Sequence, residues 1–383
     1  MMRAISERIW NFFPFRLTLI PFILVLACAF FNFHSLTNWD GDWYRHLVTF
    51  GYSAVHAADP NMEGKGNVGF FPGYPILAWL LKKILGLGTD LFPTDAALLL
   101  VSNGFAILTW FYIGKWLELF NAANVRFRML LLAFYPYTFF FNVTYTESLF
   151  TAMMMGFLYF SEKMVREEDS KKAWLYFGIA FAQGFWMDLT KILGIVMMVY
   201  PLIRSFQLKR HHFKSLLVAT SGALSPLLFF LYCKEKFGAW DFYFQTEKLI
   251  WGVYIDISKL FPPKTLFDFS RPLHADTVSK YVTILTGVLL TWKLLRLLLK
   301  KQFQDPALAA VLVCGMMWGS NMLGRTSLDY GGMGRYMVPV IAMMLPFLKL
   351  EPKRNWKWAL FCATLIGFQI AFALKFGRHG WVA

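Results

Sequence analysis

The chain has 383 residues, of which 57% are hydrophobic and 19% aromatic while only 16% are charged. Soluble domains run nearer ~25% charged, so this composition excludes an ordinary water-soluble enzyme and makes a bilayer the natural solvent. The formal charge of +15 does not mark a nucleic-acid binder, because Lys and Arg fall in short clusters between apolar runs rather than along one basic face.

Apolar runs near the ~20 residues needed to cross a bilayer recur from Leu17 to Leu374, with no interval long enough for a separate soluble domain. The sequence therefore predicts a single all-α polytopic membrane domain over residues 1–383. Cys28, Cys233, Cys314 and Cys362 lie in or beside apolar runs without CxxC or His spacing, which indicates packing residues and neither zinc nor a disulfide framework.

The basic start, MMRAISERIWNFFPFR, precedes a long apolar run without a small-residue cleavage site and reads as an uncleaved signal anchor. With Arg3, Arg8 and Arg16 held on the cytoplasmic side, the first helix, 17–36, delivers Asn38 to the outer side. Residues 38–94 then form an outer loop, and its apolar part FFPGYPILAWLLKKILGL lies along the interface, since Lys82 and Lys83 disfavour a central spanning position.

Further spans are predicted at 95–119, 129–143, 147–163, 173–187, 190–206, 215–234, 280–299, 306–323, 336–349 and 357–375, eleven with the first. This alternation places Arg126/Arg128, Lys163/Arg166/Lys171/Lys172, Arg204/Lys209/Arg210/Lys214, Lys293/Arg296/Lys300/Lys301 and Lys353/Arg354/Lys357 all inside. Several spans are short for a bilayer, which either a boundary error or a pair of half-helices would explain. The outer turns are 142–147, 187–191, a long loop 234–279 and 324–335, so the unusual polar residues share one face.

In the first outer loop, NWDGDWYRHLVTFGY sets Asp40 and Asp42 between Trp39 and Trp43. A carboxylate there can remove a proton from an acceptor hydroxyl. Two carboxylates two residues apart can instead hold a divalent metal, or simply be solvated; spacing alone leaves these open. FFPGYP, with two prolines and a glycine, forms a corner that Phe71 and Tyr74 anchor, and it can wall a lipid-binding groove.

FYPYTFFFNVTYTESLF places Pro136 to kink a span and Glu147 at the outer start of the next helix, where Thr144 or Thr146 can cap it. The alternative is that Glu147 faces Asp40 across an outer cavity. The NVT at Asn142 is too near a membrane helix to mark a compartment. In MDLTK the default is an Asp188–Lys191 ion pair, the alternative a phosphate-binding Lys191. SLDYGGMGRYMVPV brings Gly331, Gly332 and Gly334 before Arg335, whose guanidinium suits either interfacial snorkelling or bidentate phosphate binding. Trp39, Tyr44, Tyr74, Tyr145, Lys191, Arg335 and Tyr336 form the expected substrate-binding set, with Asp40, Asp42 and Glu147 the expected catalytic carboxylates.

Taken in order, WDGDWY, Gly51/Tyr52, FFPGYP, YPYTFFFNVTYTESLF and GRYMVP resemble the PIG-V family, the second mannosyltransferases of glycosylphosphatidylinositol synthesis and their bacterial relatives. The resemblance runs from Trp39 to Pro339 and departs at Asp42 and at Asp188/Lys191. It implies a GT-C membrane fold with about eleven helices and interfacial helices in the first outer loop. It also implies a polyprenyl- or dolichyl-phosphate mannose donor, a lipid or glycan acceptor, and Asp40 as the catalytic carboxylate. Inversion at the anomeric carbon follows if Asp40 activates the acceptor opposite the leaving phosphate.

The short chain favours a bacterial inner-membrane enzyme over an endoplasmic-reticulum one, with its site on the periplasmic or luminal side. No nucleotide-binding Gly-rich loop is evident, in keeping with a lipid-linked donor. The only cofactor left open is a divalent metal at Asp40/Asp42, the lipid-linked sugar being a substrate. The alternatives are a lipid or polar-solute transporter or flippase, disfavoured by the lack of an evident internal repeat, and a GT-C transferase of another lipid-linked sugar.

Overall fold

An apolar segment without access to water has to satisfy its own backbone N–H and C=O groups, which drives each long apolar run into a helix. The computed structural model describes residues 13–28, 36–53, 66–89, 91–250, 252–253, 275–323, 332–350, 356–380 and 382, and within them it is all helical, with no strand. In chain order the helices are α1 (Phe13–Cys28), α2 (Asp40–Phe50), α3 (Gly73–Leu85), α4 (Thr94–Leu119), α5 (Val125–Ala133), α6 (Glu147–Arg166) and α7 (Ser170–Thr190). There follow α8 (Val199–Leu208), α9 (His212–Phe237), α10 (Phe242–Ile250), α11 (Ala275–Leu299), α12 (Pro306–Leu323), α13 (Met337–Met344) and α14 (Trp356–Gly377).

Five of these, α4, α9, α11, α12 and α14, are long and apolar enough to cross a membrane. Their outward faces stay apolar: Leu285, Val288 and Trp292 of α11 and Leu360 and Phe361 of α14 are exposed, as suits helices solvated by lipid chains. Helix α6 lies at the centre, packed against α4, α7 and α8, and it buries Leu149, Met154, Phe157 and Leu158 completely. At its far end Glu162 is fully buried and accepts hydrogen bonds from Arg204 Nη2 (2.7 Å), Arg166 Nε (2.6 Å) and Tyr200 Oη (2.8 Å). Two basic residues expected on one side thus converge there on one carboxylate.

Three expected spans are not single α-helices. The run 129–143 ends as a helix at Ala133, turns through Tyr135–Tyr137 and continues as a 3-10 turn at Thr138–Phe141. Pro136 has no N–H for the helical ladder and bars the preceding residue from helical geometry, so it stops the helix instead of kinking it. The run 190–206 divides into a 3-10 segment, Ile192–Met198, and α8. The run 336–349 divides into Met333–Tyr336, α13 and Leu345–Phe347. Arg128 ties down the carbonyls at this last break: its Nη1 donates to Leu345 O (2.6 Å), which also accepts from Leu348 N (3.5 Å), and to Leu348 O (2.9 Å). The starts of the signal anchor and of the 324–335 turn, including Gly331, with Lys353 and Arg354 and residues 251 and 254–274 of the loop 234–279, lie outside the described residues.

The segment 38–94, expected as an outer loop, carries two helices, α2 and α3. The entry to α2 is clamped by two distant segments: Thr144 N donates to Leu36 O (3.2 Å) and Asn38 Nδ2 donates to Phe376 O (2.8 Å). The FFPGYP corner packs directly on the MDLTK turn. A Cβ at Gly73 would lie 2.8 Å from Leu189 O, so only glycine permits that approach.

Candidate active site

Asp40 is the first residue of α2, where a carboxylate gains from the helix's unsatisfied N–H groups. Trp39 before it adopts a left-handed φ of 59°, uncommon for a bulky residue and a mark of backbone held in place by its surroundings. After it, Gly41 lets the helix start press on Thr144, whose Oγ1 would be 2.3 Å from a Cβ at that position. The motif WDG is therefore a way of pinning Asp40 against the YTES segment, and Asp40 N donates to Tyr145 Oη at 3.4 Å.

Around Asp40 four charged side chains from distant segments form one chain of contacts. Arg335 Nη1 donates to Asp40 Oδ2 at 2.7 Å, and its Nε lies 3.6 Å from Glu147 Oε1. Lys191 Nζ donates to the same Glu147 oxygen at 2.7 Å. Arg335 and Glu147 are buried, with side chains 5% and 4% exposed, whereas Asp40 keeps 21% and Lys191 17%. Aromatic rings hold the cations: the Arg335 guanidinium lies 5.2 Å from the Tyr145 ring centre and 5.0 Å from Tyr336, and Lys191 Nζ lies 4.8 Å from Tyr336. Glu147 Oε2 and Arg335 Nε are buried without a hydrogen-bond partner among the described residues. In a low-dielectric site, incompletely used polar atoms of this kind are costly and are met at functional centres.

Two local readings of the sequence give way here. Thr146 makes no capping hydrogen bond at the start of α6, so Glu147 is held by Lys191 and Arg335 and not by a simple cap. Lys191 reaches Glu147, not Asp188; Asp188 is fully buried and neither of its oxygens has a hydrogen-bond partner among the described residues.

The expected set divides. Asp40, Trp39, Tyr44, Lys191, Arg335 and Tyr336 line a cavity of about 350 Å³, with Glu147 and Tyr145 directly behind Lys191 and Arg335. Asp42 is turned away: it pairs with Arg45 Nη1 at 3.1 Å, and Arg45 Nε in turn reaches Asp95 Oδ1 at 2.6 Å. Burial pushes the Asp42 carboxyl above the usual range, with Arg45 opposing the shift. Two residues on a helix are ~200° apart, so Asp40 and Asp42 do not converge as a pair of metal ligands. Among the described residues no group of three or more His, Cys, Asp or Glu side chains is placed to hold a metal. Tyr74 is also absent from the cavity: fully buried, it donates to Leu98 O (2.9 Å) and meets Ser102 Oγ (2.8 Å), a structural role within the loop core.

Sequence reasoning missed four further lining residues, Tyr243 and Glu247 of α10 and Ser320 and Asn321 at the end of α12. The available signal was the polar SN pair near the end of an otherwise apolar run, and the amphipathic FYFQTEKLI inside the segment 234–279. Beside this cavity, across the Gly73–Leu189 contact, lies a second one of about 400 Å³ lined by Leu47, Pro75, Ile76, Trp79, Leu228 and Tyr232 among others, with no charged residue. The polar and apolar cavities share the FFPGYP corner and the MDLTK turn: Phe71 and Thr190 line the first, Pro72 and Leu189 the second.

No family model matches the chain, and no curated protein matches it. Among solved structures, it is similar to the archaeal oligosaccharyltransferase AglB from Archaeoglobus fulgidus in complex with an inhibitory peptide and a dolichol-phosphate. That likeness has 12% identity and a TM-score of 0.49, covering 97% of this chain and 56% of that one. The Archaeoglobus fulgidus oligosaccharyltransferase tethered to an acceptor peptide containing the NVT sequon is similar at 10% identity and a TM-score of 0.48, covering 98% of this chain and 56% of that one. The chain thus spans about half the length of the solved enzymes it resembles, and a likeness at this level assigns neither reaction nor substrate.

Proposed function

We propose that this chain is a membrane glycosyltransferase of the GT-C type that transfers mannose from a polyprenyl- or dolichyl-phosphate donor to an acceptor hydroxyl. The observation that carries the reading is the meeting of Arg335 with Asp40, 295 residues away, at 2.7 Å, with Glu147 and Lys191 joined to the same cluster. Asp40, Glu147 and Arg335 belong to three motifs, WDGDWY, YTES and GRY, that resemble the PIG-V mannosyltransferases, whereas Lys191 lies in the MDLTK turn, where the resemblance departs.

In the reaction, Asp40 accepts the proton of the acceptor hydroxyl as that oxygen attacks the anomeric carbon. The bond from that carbon to the phosphate oxygen breaks on the opposite face, its electron pair leaves with the polyprenyl phosphate, and the configuration inverts. Arg335 and Lys191 stabilise charge growing on the leaving phosphate, preorganised help of a kind that lowers a barrier by ~3 to 4 kcal/mol per group. Glu147 orients both cations. The apolar cavity lies where a lipid chain can run while its phosphate reaches Lys191 across the Gly73–Leu189 contact. The basic clusters support a site on the non-cytoplasmic side, the periplasmic face in a bacterial inner membrane.

The test is turnover of a panel of lipid-linked sugars by the purified protein in detergent, read as release of polyprenyl phosphate and sugar transfer. Turnover of the mannosyl donor alone is expected. Preference for another sugar would keep the transferase and remove mannose, and a protein that moves lipid or solute only between two compartments would remove the transferase.

A further inference from the structure

The four charged side chains clustered around Asp40 neutralise one another before any donor arrives, Asp40 and Glu147 against Arg335 and Lys191. A bidentate grip on phosphate needs two neighbouring N–H groups of a guanidinium, and Arg335 has no such edge to spare. Its Nη1 donates to Asp40 Oδ2 at 2.7 Å and its Nη2 to the Tyr336 hydroxyl at 3.1 Å, while Nε is buried and lies 3.6 Å from Glu147 Oε1. An arriving phosphate therefore has to displace a partner of the guanidinium. Asp40 is the carboxylate within reach, its side chain 21% exposed against 4% for Glu147. Glu147 also keeps Lys191, at 2.7 Å, when Arg335 is drawn away.

Resting on the transferase reading, we propose that the Arg335–Asp40 pair is a latch that a lipid phosphate opens: the phosphate draws Arg335 off Asp40, and only then does Asp40 receive the acceptor's proton. The exchange gives up one charge-assisted hydrogen bond, from Nη1 to Oδ2, and forms another, from Nη1 to a phosphate oxygen. The Oδ2 lone pair that had accepted from Nη1 is then available to the acceptor hydroxyl. Arg335 is the member that moves. Asp40 is a short side chain on pinned backbone, between Trp39 at φ 59° and Gly41 pressed on Thr144. Arg335 has a long stem, and its guanidinium lies 5.7, 5.2 and 5.0 Å from the ring centres of Phe140, Tyr145 and Tyr336, which hold the cation while it changes partner. Two consequences follow for the site. The donor binds before the acceptor is deprotonated, so an empty site leaves acceptor and water unactivated. The latch also weakens apparent binding of the lipid phosphate, because only the fraction of molecules with Arg335 free is competent.

The probe is undecaprenyl phosphate, added to the purified full-length protein in lipid nanodiscs. Its Kd is measured for wild type, Asp40→Asn, Arg335→Gln and the double variant, with melting temperature as the folding control, and the structure of the wild-type complex is determined. An amide holds a guanidinium more weakly than a carboxylate does, so Asp40→Asn is expected to bind the probe roughly 10-fold more tightly than wild type. The same change made on Arg335→Gln is expected to leave Kd unaltered, since no arginine remains to be released. Equal tightening in both backgrounds is the result of plain repulsion between Asp40 and the phosphate and would overturn the latch. In the wild-type complex both Nη atoms of Arg335 are expected on the phosphate, with Asp40 beyond hydrogen-bond reach; this measurement decides alone should a variant fail to fold. A bound phosphate beside an intact 2.7 Å pair, or no binding of the probe, refutes the latch. Sugar transfer from a lipid-linked donor with the pair intact removes the latch and keeps the transferase. A latch that opens in a protein that transfers no sugar removes the transferase reading alone.

Discussion

Replacing Arg335 by lysine keeps the charge and tests the geometry. The guanidinium serves three partners at once: Asp40 at 2.7 Å through Nη1, the Tyr336 hydroxyl at 3.1 Å through Nη2 and Glu147 at 3.6 Å through Nε. A lysine brings one nitrogen on a flexible stem and reaches one carboxylate at a time, leaving the other incompletely satisfied in a site where Arg335 is only 5% exposed. A hydrogen bond to a charged group is worth ~1.5–3 kcal/mol, so losing one in the transition state lowers kcat/KM for the donor by roughly 10- to 150-fold. The assay is sugar transfer by the purified variant, with kcat and donor KM determined separately and the unfolding midpoint in detergent compared with wild type. A variant that folds normally and keeps wild-type kcat and donor KM would show that Arg335 only ties the last broken helix to α2.

Asp40→Asn keeps the size of the side chain and removes the base, so transfer is expected to fall ~100-fold or more while donor binding survives. Asp42→Asn loses only a partly exposed pair with Arg45, worth ~1 kcal/mol at most, and should cost less than ~5-fold in transfer; equal loss in both variants, reversed by a divalent ion, would restore a metal at the pair. Cysteine labelling of Trp39→Cys, whose tryptophan is exposed, should proceed from the non-cytoplasmic side alone, and labelling from the cytoplasm would sink the orientation drawn from the basic clusters. Asp188→Asn should fold and transfer sugar like wild type or better, because it substitutes an amide of the same shape for a carboxyl sealed among Gly194, Gly222 and Met198 without a partner; a folded but inactive variant would assign Asp188 a role that packing does not explain.

What could be read from the sequence, and what could not, follows from the range of the forces involved. Apolar run length and basic clusters are local properties, and they located helix starts well: α4, α6 and α12 begin within a residue of their expected positions at 95, 147 and 306. The expected cavity residues Asp40, Lys191 and Arg335 stood out for the same reason, as charges at the ends of apolar runs. Pairing is not local. The sequence spacing Asp188–Lys191 offers an ion pair within one turn, but the extended backbone at Lys191, φ −151° and ψ 124°, turns its side chain toward Glu147 and leaves Asp188 behind the helix. Tyr74 and Asp42 failed for a related reason: both sit in motifs that build the site, yet helical rotation points Tyr74 at Ser102 and Asp42 at Arg45. A motif therefore marks the segment that forms the site more reliably than it marks the side chains that face into it. Glu247 and Asn321 show the converse, since they belong to no motif and line the cavity only because the tertiary fold brings α10 and the end of α12 to it.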